Sequence, residues 1–327
     1  MRKIIAEIGS THDGSFGNAK KIIKAAAECG ADIIKFQLHI PDSEMLPNAP
    51  SPSYFKTEGR YEYFLRTNFN LDQFKLLKNY TEKLGMNFMV SPFSEDAVDF
   101  LNKINIKFYK VASGEVTNIS LLEKLKKTKK NIFLSTGMSN WNEIDQAIKI
   151  LPKNKTVIMQ CTSIYPCPET QVGLNNIAIM MKKYKIPVGF SDHYLGVEAG
   201  FAAAALGATH IEKHITFSRQ MYGSDAPYAM ELDEFRNYVK GIKNIWKMLD
   251  SPVNKNNLKP FSKMKKVFEK SIVVKKTLKK GHLIKKEDLS FKKPGDGIPA
   301  NSYKKILGKT IKKNLPSNYK LKKTDIC

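Results

Sequence analysis

Arginine is scarce in this chain. Only five of its 54 basic residues are Arg, at positions 2, 60, 66, 219 and 236, so the net charge of +23 is a lysine charge. Base readout and bidentate phosphate clamping favour the planar guanidinium. Aromatic residues do not alternate with the basic ones in a stacking pattern either, and no nucleic-acid partner is expected. Cysteine is scarce as well: Cys29, Cys161, Cys167 and Cys327 form no CxxC pair. That argues against a zinc ribbon or a disulfide framework and points to a reducing cytoplasm. No apolar run approaches the roughly 20 residues of a membrane span. The opening segment reads as a short strand ending in Glu7, not as a signal peptide, so no membrane partner is expected.

What is present suits one large domain and a small one. A chain of 327 residues with 42% hydrophobic content buries a substantial core. The charge is unevenly placed. Between 256 and 327, 21 lysines face five carboxylates, a net of +16 that leaves +7 for the first 255 residues. This asymmetry marks a change of domain.

Short β-branched or aromatic runs recur at 3–8, 32–37, 87–91, 107–112, 131–135, 156–161, 187–191 and 209–215. Helical apolar spacing occupies most of the intervals, for example 18–29, 71–84, 119–127, 141–151 and 197–206, and an eighth helix is expected at 232–249. Strand–helix alternation of this kind predicts a (β/α)8 TIM barrel over 1–250. The stretch 39–70, rich in Pro, Ser and Tyr, reads as a long functional loop after strand two. Residues 251–268 read as a linker, and 269–327 as a small β-rich module.

In such barrels the catalytic site lies at the carboxyl ends of the strands. The expected strand ends carry polar groups almost without exception: Glu7 leading to His12 and Asp13; Lys35 and Gln37; Ser91; Lys110, Ser113 and Glu115; Ser135; Gln160, Ser163 and Tyr165; Ser191 and His193; Glu212 and His214. Lys35 and Lys110 are the most informative, because each sits inside an otherwise apolar strand. A buried lysine is costly unless an anion compensates it. They fit a structural pair with Glu7 or Glu115, a cradle for phosphate and carboxylate, or a Schiff-base role. The surrounding hydroxyls favour the cradle. His193 and His214 end adjacent strands and together can hold one divalent metal ion. Asp225, in the loop after strand eight, is placed to orient metal-bound water or to serve a turn. His210 and His282 are expected to be structural and superficial, respectively.

Several of these segments, taken in order, resemble one family. They are Ala6-Glu7-Ile8-Gly9 with His12-Asp13-Gly14, Ile34-Lys35-Phe36-Gln37, Ser91-Pro92-Phe93-Ser94 and Tyr109-Lys110-Val111-Ala112-Ser113-Gly114-Glu115. Further on come Leu134-Ser135-Thr136-Gly137-Met138, Cys161-Thr162-Ser163-Ile164-Tyr165-Pro166, Gly189-Phe190-Ser191-Asp192-His193 and Glu212-Lys213-His214-Ile215-Thr216. This ordered set resembles the sialic acid (nonulosonate) synthase barrel. The segment through Lys293-Pro294-Gly295-Asp296-Gly297-Ile298 resembles the antifreeze-like (SAF) domain that follows it.

The resemblance implies condensation of phosphoenolpyruvate with an N-acyl amino-sugar aldehyde. It implies that Lys35, Ser91, Lys110, Ser113 and Ser135 hold the phosphate and carboxylate. Gln37, Glu115, Ser163, Tyr165, Ser191 and Lys293 would bind substrate, with Asp13 and Asp225 in catalytic roles. His193 and His214 would bind Mn²⁺ or Mg²⁺, and the protein would be a domain-swapped homodimer. Asp13 stands where some members carry glutamate, and Lys293 where arginine is usual. Legionaminate or pseudaminate synthesis is the close alternative to N-acetylneuraminate. A synthase of other 3-deoxy-keto acids, or a non-catalytic binding protein using the basic tail, is more remote.

Overall fold

The structure, a computed structural model, describes residues 2–51 and 58–327. The chain divides into two compact units, Met1–Ser251 and Pro252–Cys327.

The first unit is a closed parallel barrel. Its strands are β1 (Lys3–Glu7), β2 (Ile33–Leu38), β3 (Asn87–Pro92), β4 (Phe108–Val111), β5 (Asn131–Ser135), β6 (Thr156–Cys161), β7 (Val188–Asp192) and β8 (His210–Thr216). Each pairs with the next, and β1 pairs with β8 to shut the ring. A two-residue strand, β9 (Met230–Glu231), adds to β8 beyond the ring. Helices α1 (Phe16–Cys29), α2 (Pro41–Glu44), α3 (Arg60–Thr67), α4 (Leu71–Lys83), α5 (Glu95–Lys103), α6 (Ile119–Lys127), α7 (Trp141–Ile150), α8 (Asn175–Tyr184), α9 (Glu198–Ala205) and α10 (Leu232–Leu249) lie between and after the strands.

The helices start where the sequence supplies caps. The side chains of Ser15, Asn70, Ser94, Asn118 and Asn140 each accept an N–H from the first turn. Asn70 and Asn140 form reciprocal boxes with Gln73 and Glu143. No helix among the described residues is long and apolar enough to cross a membrane.

The stretch 39–70, read as irregular, carries α2 and α3, while its residues 52–57 lie outside the described residues. Helices α5 and α8 were not singled out from the sequence pattern.

Strand alternation divides the barrel wall into two faces. Even-numbered positions such as Ile4, Ile34, Val90, Ile132 and Ile158 join the helices in one large core. The alternate positions face the barrel axis, odd-numbered on β1, β2, β3, β5, β6 and β7 and even-numbered on β4 and β8. Ile5, Ile33, Met89, Phe133, Val157 and Met159 form a separate apolar plug, with Phe108 against it. His210 packs its ring edge-on to Phe133 at 5.0 Å, so it belongs to this floor. Gly189 is obligatory there: a Cβ would sit 2.3 Å from Met159 Sδ and 2.7 Å from the His210 carbonyl oxygen.

The second unit has its own core of Ile272, Val274, Leu278, Ile284, Leu289, Ile298, Ile306, Ile311, Leu315, Leu321 and Ile326. Strands β10 (Ser271–Val274) and β11 (Leu289–Lys292) pair antiparallel. The stretch read as a linker contains a seven-residue helix, α11 (Ser262–Phe268). His282, expected at the surface, binds the buried Asp288 carboxylate at 2.7 Å, because that carboxylate needs compensation inside the small core.

We expect Gly189→Ala to destabilise the barrel by about 1–3 kcal/mol through overpacking of its floor, read from urea denaturation midpoints.

Candidate active site

Above the apolar floor, the next inward residue on each strand is polar. Ile5 is followed by Glu7, Ile33 by Lys35, Met89 by Ser91, Phe108 by Lys110 and Phe133 by Ser135. Met159 is followed by Cys161, Gly189 by Ser191 and His210 by Glu212. All of these polar residues except Cys161 line a cavity of about 280 Å³, together with Gln37, Arg60, Ser113, Glu115, Ser163, Tyr165, His193, His214 and Asp225.

At its base four charges interlock. Both oxygens of Glu212 accept from Lys110 Nζ at 2.7 Å, and Oε1 also accepts from Ser191 Oγ at 2.8 Å. Lys35 Nζ lies 3.4 Å from Glu212 Oε1 and 3.1 Å from Glu7 Oε1. Gln37 Nε2 donates to Glu7 Oε1 at 2.8 Å. Burial would raise the Glu212 carboxyl, but Lys110, Lys35 and Ser191 hold it far below the usual range. Burial dominates at Glu7 and pushes it up to about 7 despite Lys35. Burial also lowers the Lys110 ammonium against the pull of Glu212, whereas Lys35, beside both carboxylates, is raised. The lysines thus pair with Glu212 and Glu7, and Glu115 takes no part: it accepts from Asn118 Nδ2 at 2.8 Å further up the wall.

Glu7 Oε2 and Ser91 Oγ are buried without a hydrogen-bond partner among the described residues. Orphan polar atoms around a cavity call for a polar ligand.

The histidines stand on the neighbouring rim, ring centroids 5.9 Å apart. His193 Nδ1 donates to the Thr162 carbonyl at 2.8 Å, and Nε2 shares a hydrogen bond with Tyr165 Oη at 2.9 Å. His214 Nδ1 is buried and unpartnered, and burial lowers this imidazole to about 4, keeping it neutral. Asp225 Oδ2 accepts from Ser10 N at 2.8 Å and Ser10 Oγ at 2.9 Å. Gly9 lets it approach: a Cβ there would lie 2.2 Å from Asp225 Oδ2 and 3.3 Å from His214 Cε1.

Among the described residues no cluster of three or more His, Cys, Asp or Glu is arranged to hold a metal. The His193 and His214 imidazoles nonetheless offer the nitrogen donors that a divalent ion takes. Both line the same cavity, and the buried His214 Nδ1 has no hydrogen-bond partner among the described residues.

Asp13 is not brought to the cavity. Its backbone turns through φ 48°, and its carboxylate pairs with Arg66 at 2.9 Å, in a network with Glu58. The expected catalytic position is corrected accordingly: the turn after β1 directs Asp13 to the α3 arginine. Lys293 belongs to the second unit, where its ammonium stands 5.1 Å over the Phe268 ring.

Glu7 is expected from the sequence only as a structural partner of the lysines, and Glu212 only as a polar strand end. Cys161 and His39 were missed outright. Cys161 Sγ lies 3.8 Å from His193 Nδ1. His39 stacks on Phe64 at 3.6 Å and bonds Gln37 and Glu44. The signal for the first three was strand parity, since 7, 161 and 212 share the inward phase of 35 and 110.

Residues 22–254 match the NeuB family, and 269–326 match the SAF domain. The chain belongs to the NeuB family. This NeuB-family enzyme is 36% identical to the N,N'-diacetyllegionaminic acid synthase of Campylobacter jejuni, covering 95% of this chain and 96% of the relative. It is 34% identical to the human N-acetylneuraminate-9-phosphate synthase, covering 94% and 88%. The crystal structure of a sialic acid synthetase from Leptospira borgpetersenii, solved with citrate, superposes with a TM-score of 0.70 at 30% identity. That match covers 80% of this chain and 90% of the other. NeuB-family synthases are generally metal-dependent.

Glu7 binds its proton more tightly folded than unfolded, so its stabilising contribution is complete near pH 4 and is lost as pH rises through about 7. Glu7→Gln cannot titrate. We expect its stability relative to the wild type to improve by about 1–3 kcal/mol between roughly pH 5 and pH 8, measured as urea midpoints.

Proposed function

We propose that the enzyme is a transferase that condenses phosphoenolpyruvate with an N-acyl amino-sugar aldehyde, giving a nonulosonic acid and phosphate. The observation carrying this reading is one cavity that holds two buried ammonium groups at its base and two imidazoles at its rim. Lys35 and Lys110, with the hydroxyls of Ser91, Ser113 and Ser135, receive the phosphate and carboxylate. A polyanion there can draw the lysines away from Glu212 and satisfy the free Ser91 hydroxyl. Gln37, Glu115, Ser163, Tyr165 and Ser191 orient the acceptor.

His193 and His214 would hold Mn²⁺ or Mg²⁺, with Asp225 beside them. When bound, the ion supplies Lewis-acid polarisation of the aldehyde oxygen. The enol carbon forms the new bond to the aldehyde carbon. Water adds at C2, and the C2–O bond to phosphate breaks. Glu7, at about 7 and with Oε2 unsatisfied, is suited to give or take the proton these steps require. In this reading Asp13 holds Arg66 and α3 in place.

The acceptor is N-acetylmannosamine or a 6-deoxy diacetamido sugar, with legionaminate or pseudaminate as the alternative product. A domain-swapped homodimer complements the proposal, with Lys293 of the SAF domain serving the acceptor's N-acyl group. A cytoplasmic location follows from the metabolite substrates.

The test is phosphate release from phosphoenolpyruvate and Mn²⁺ with a panel of amino sugars. The panel includes a 6-phosphorylated one, because Arg60 adds a cation to the cavity wall. Sugar-dependent release with at least one member is expected, and none with any would defeat the reading. His214→Ala should lose metal-dependent turnover by at least about 100-fold while keeping its circular dichroism and melting profile.

A further inference from the structure

Each of the two histidines follows a charged residue of opposite sign, Asp192 before His193 and Lys213 before His214. Strand parity turns this pair away from the cavity, onto the helix-facing side of the barrel wall. Asp192 and Lys213 are direct register partners on β7 and β8. Lys213 Nζ lies 3.0 Å from Asp192 Oδ2, and the two side chains are 2% and 0% exposed. Tyr238 Oη, from α10, donates to Asp192 Oδ2 at 2.7 Å. Asp192 Oδ1 accepts the Tyr194 N–H at 2.9 Å, and Lys213 Nζ donates to the Tyr194 carbonyl. The backbone is therefore tied down on both sides of His193, and one of those ties is the residue adjoining His214.

We infer that Asp192, Lys213 and Tyr238 are positioning residues that set the separation and orientation of His193 and His214. Packing alone does not require charge there. An apolar pair of similar volume would avoid the desolvation of two ions. What the ion pair adds is direction: fixed donor and acceptor angles specify one register and one spacing, which apolar contact leaves loose. Within the cavity wall His193 bonds the Thr162 carbonyl and Tyr165 Oη, with Cys161 Sγ at 3.8 Å, and His214 Nδ1 has no partner among the described residues. The rims of β7 and β8 are thus set from behind the wall, not from within the cavity.

The inference rests on reading the two imidazoles as metal ligands, and the experiment separates the two ideas. Mn²⁺ binding to the full-length chain is measured by calorimetry and by electron paramagnetic resonance without substrates. Phosphoenolpyruvate binding and the imidazole ¹⁵N shifts are followed alongside. Asp192→Asn and Lys213→Met should weaken Mn²⁺ binding by about 10–100-fold, with phosphoenolpyruvate affinity held within about twofold and the His193 and His214 shifts displaced. Tyr238→Phe removes a single hydroxyl and should fold even where the charge variants do not. It should weaken Mn²⁺ binding by roughly three- to tenfold. Unchanged Mn²⁺ affinity in a cooperatively melting Tyr238→Phe or Asp192→Asn protein overturns the positioning role, whatever the melting temperature. Absence of Mn²⁺ and Mg²⁺ binding by the wild type overturns the ligand reading and this inference with it.

Discussion

Four buried ionisable side chains at the top of the barrel axis can share that space only because each compensates another. Glu212 is the hinge of the arrangement. A single carboxylate oxygen on β8 meets Lys110, Lys35 and Ser191, contributed by three other strands of the ring. Taking any one ion into a low-dielectric interior alone would cost several kcal/mol. The set is held ready for a ligand whose negative charge can replace a carboxylate at the lysines. Glu7, the less favourably placed acid, absorbs the imbalance by holding its proton near neutrality.

One regular feature, the two-residue repeat of the strands, places everything else. Inward positions run from an apolar floor to a polar top within two residues, so a dry plug lies directly beneath the charges. Outward positions serve the helical layer, except at β7 and β8, where Asp192 and Lys213 put a second ion pair behind the histidines. The same strands therefore present different chemistry on their two faces, and the helices anchor one while the cavity uses the other.

Much of this was legible in the sequence because strand parity and capping are local. The eight strands, the inward lysines and the paired histidines followed from short patterns at fixed phase. What escaped depended on partners distant in sequence. Nothing near Lys110 shows that its counter-ion is Glu212, 102 residues away. Nor does the Asp13 motif show that the turn leads it to Arg66 on α3. His282 was misjudged for the same reason: a histidine in a Lys-rich turn looks superficial until a buried aspartate is found under it. Helices within 39–70 were hidden by a composition rich in Pro and Ser, where tertiary packing such as that of the α3 residue Phe64 on His39 outweighs local propensity.

The plug of Ile5, Ile33, Met89, Phe133, Val157 and Met159 has a consequence for traffic. A vessel sealed at the bottom has one doorway. Whatever settles on the two lysines must arrive before anything stacked above it, and departs only after that upper occupant has gone.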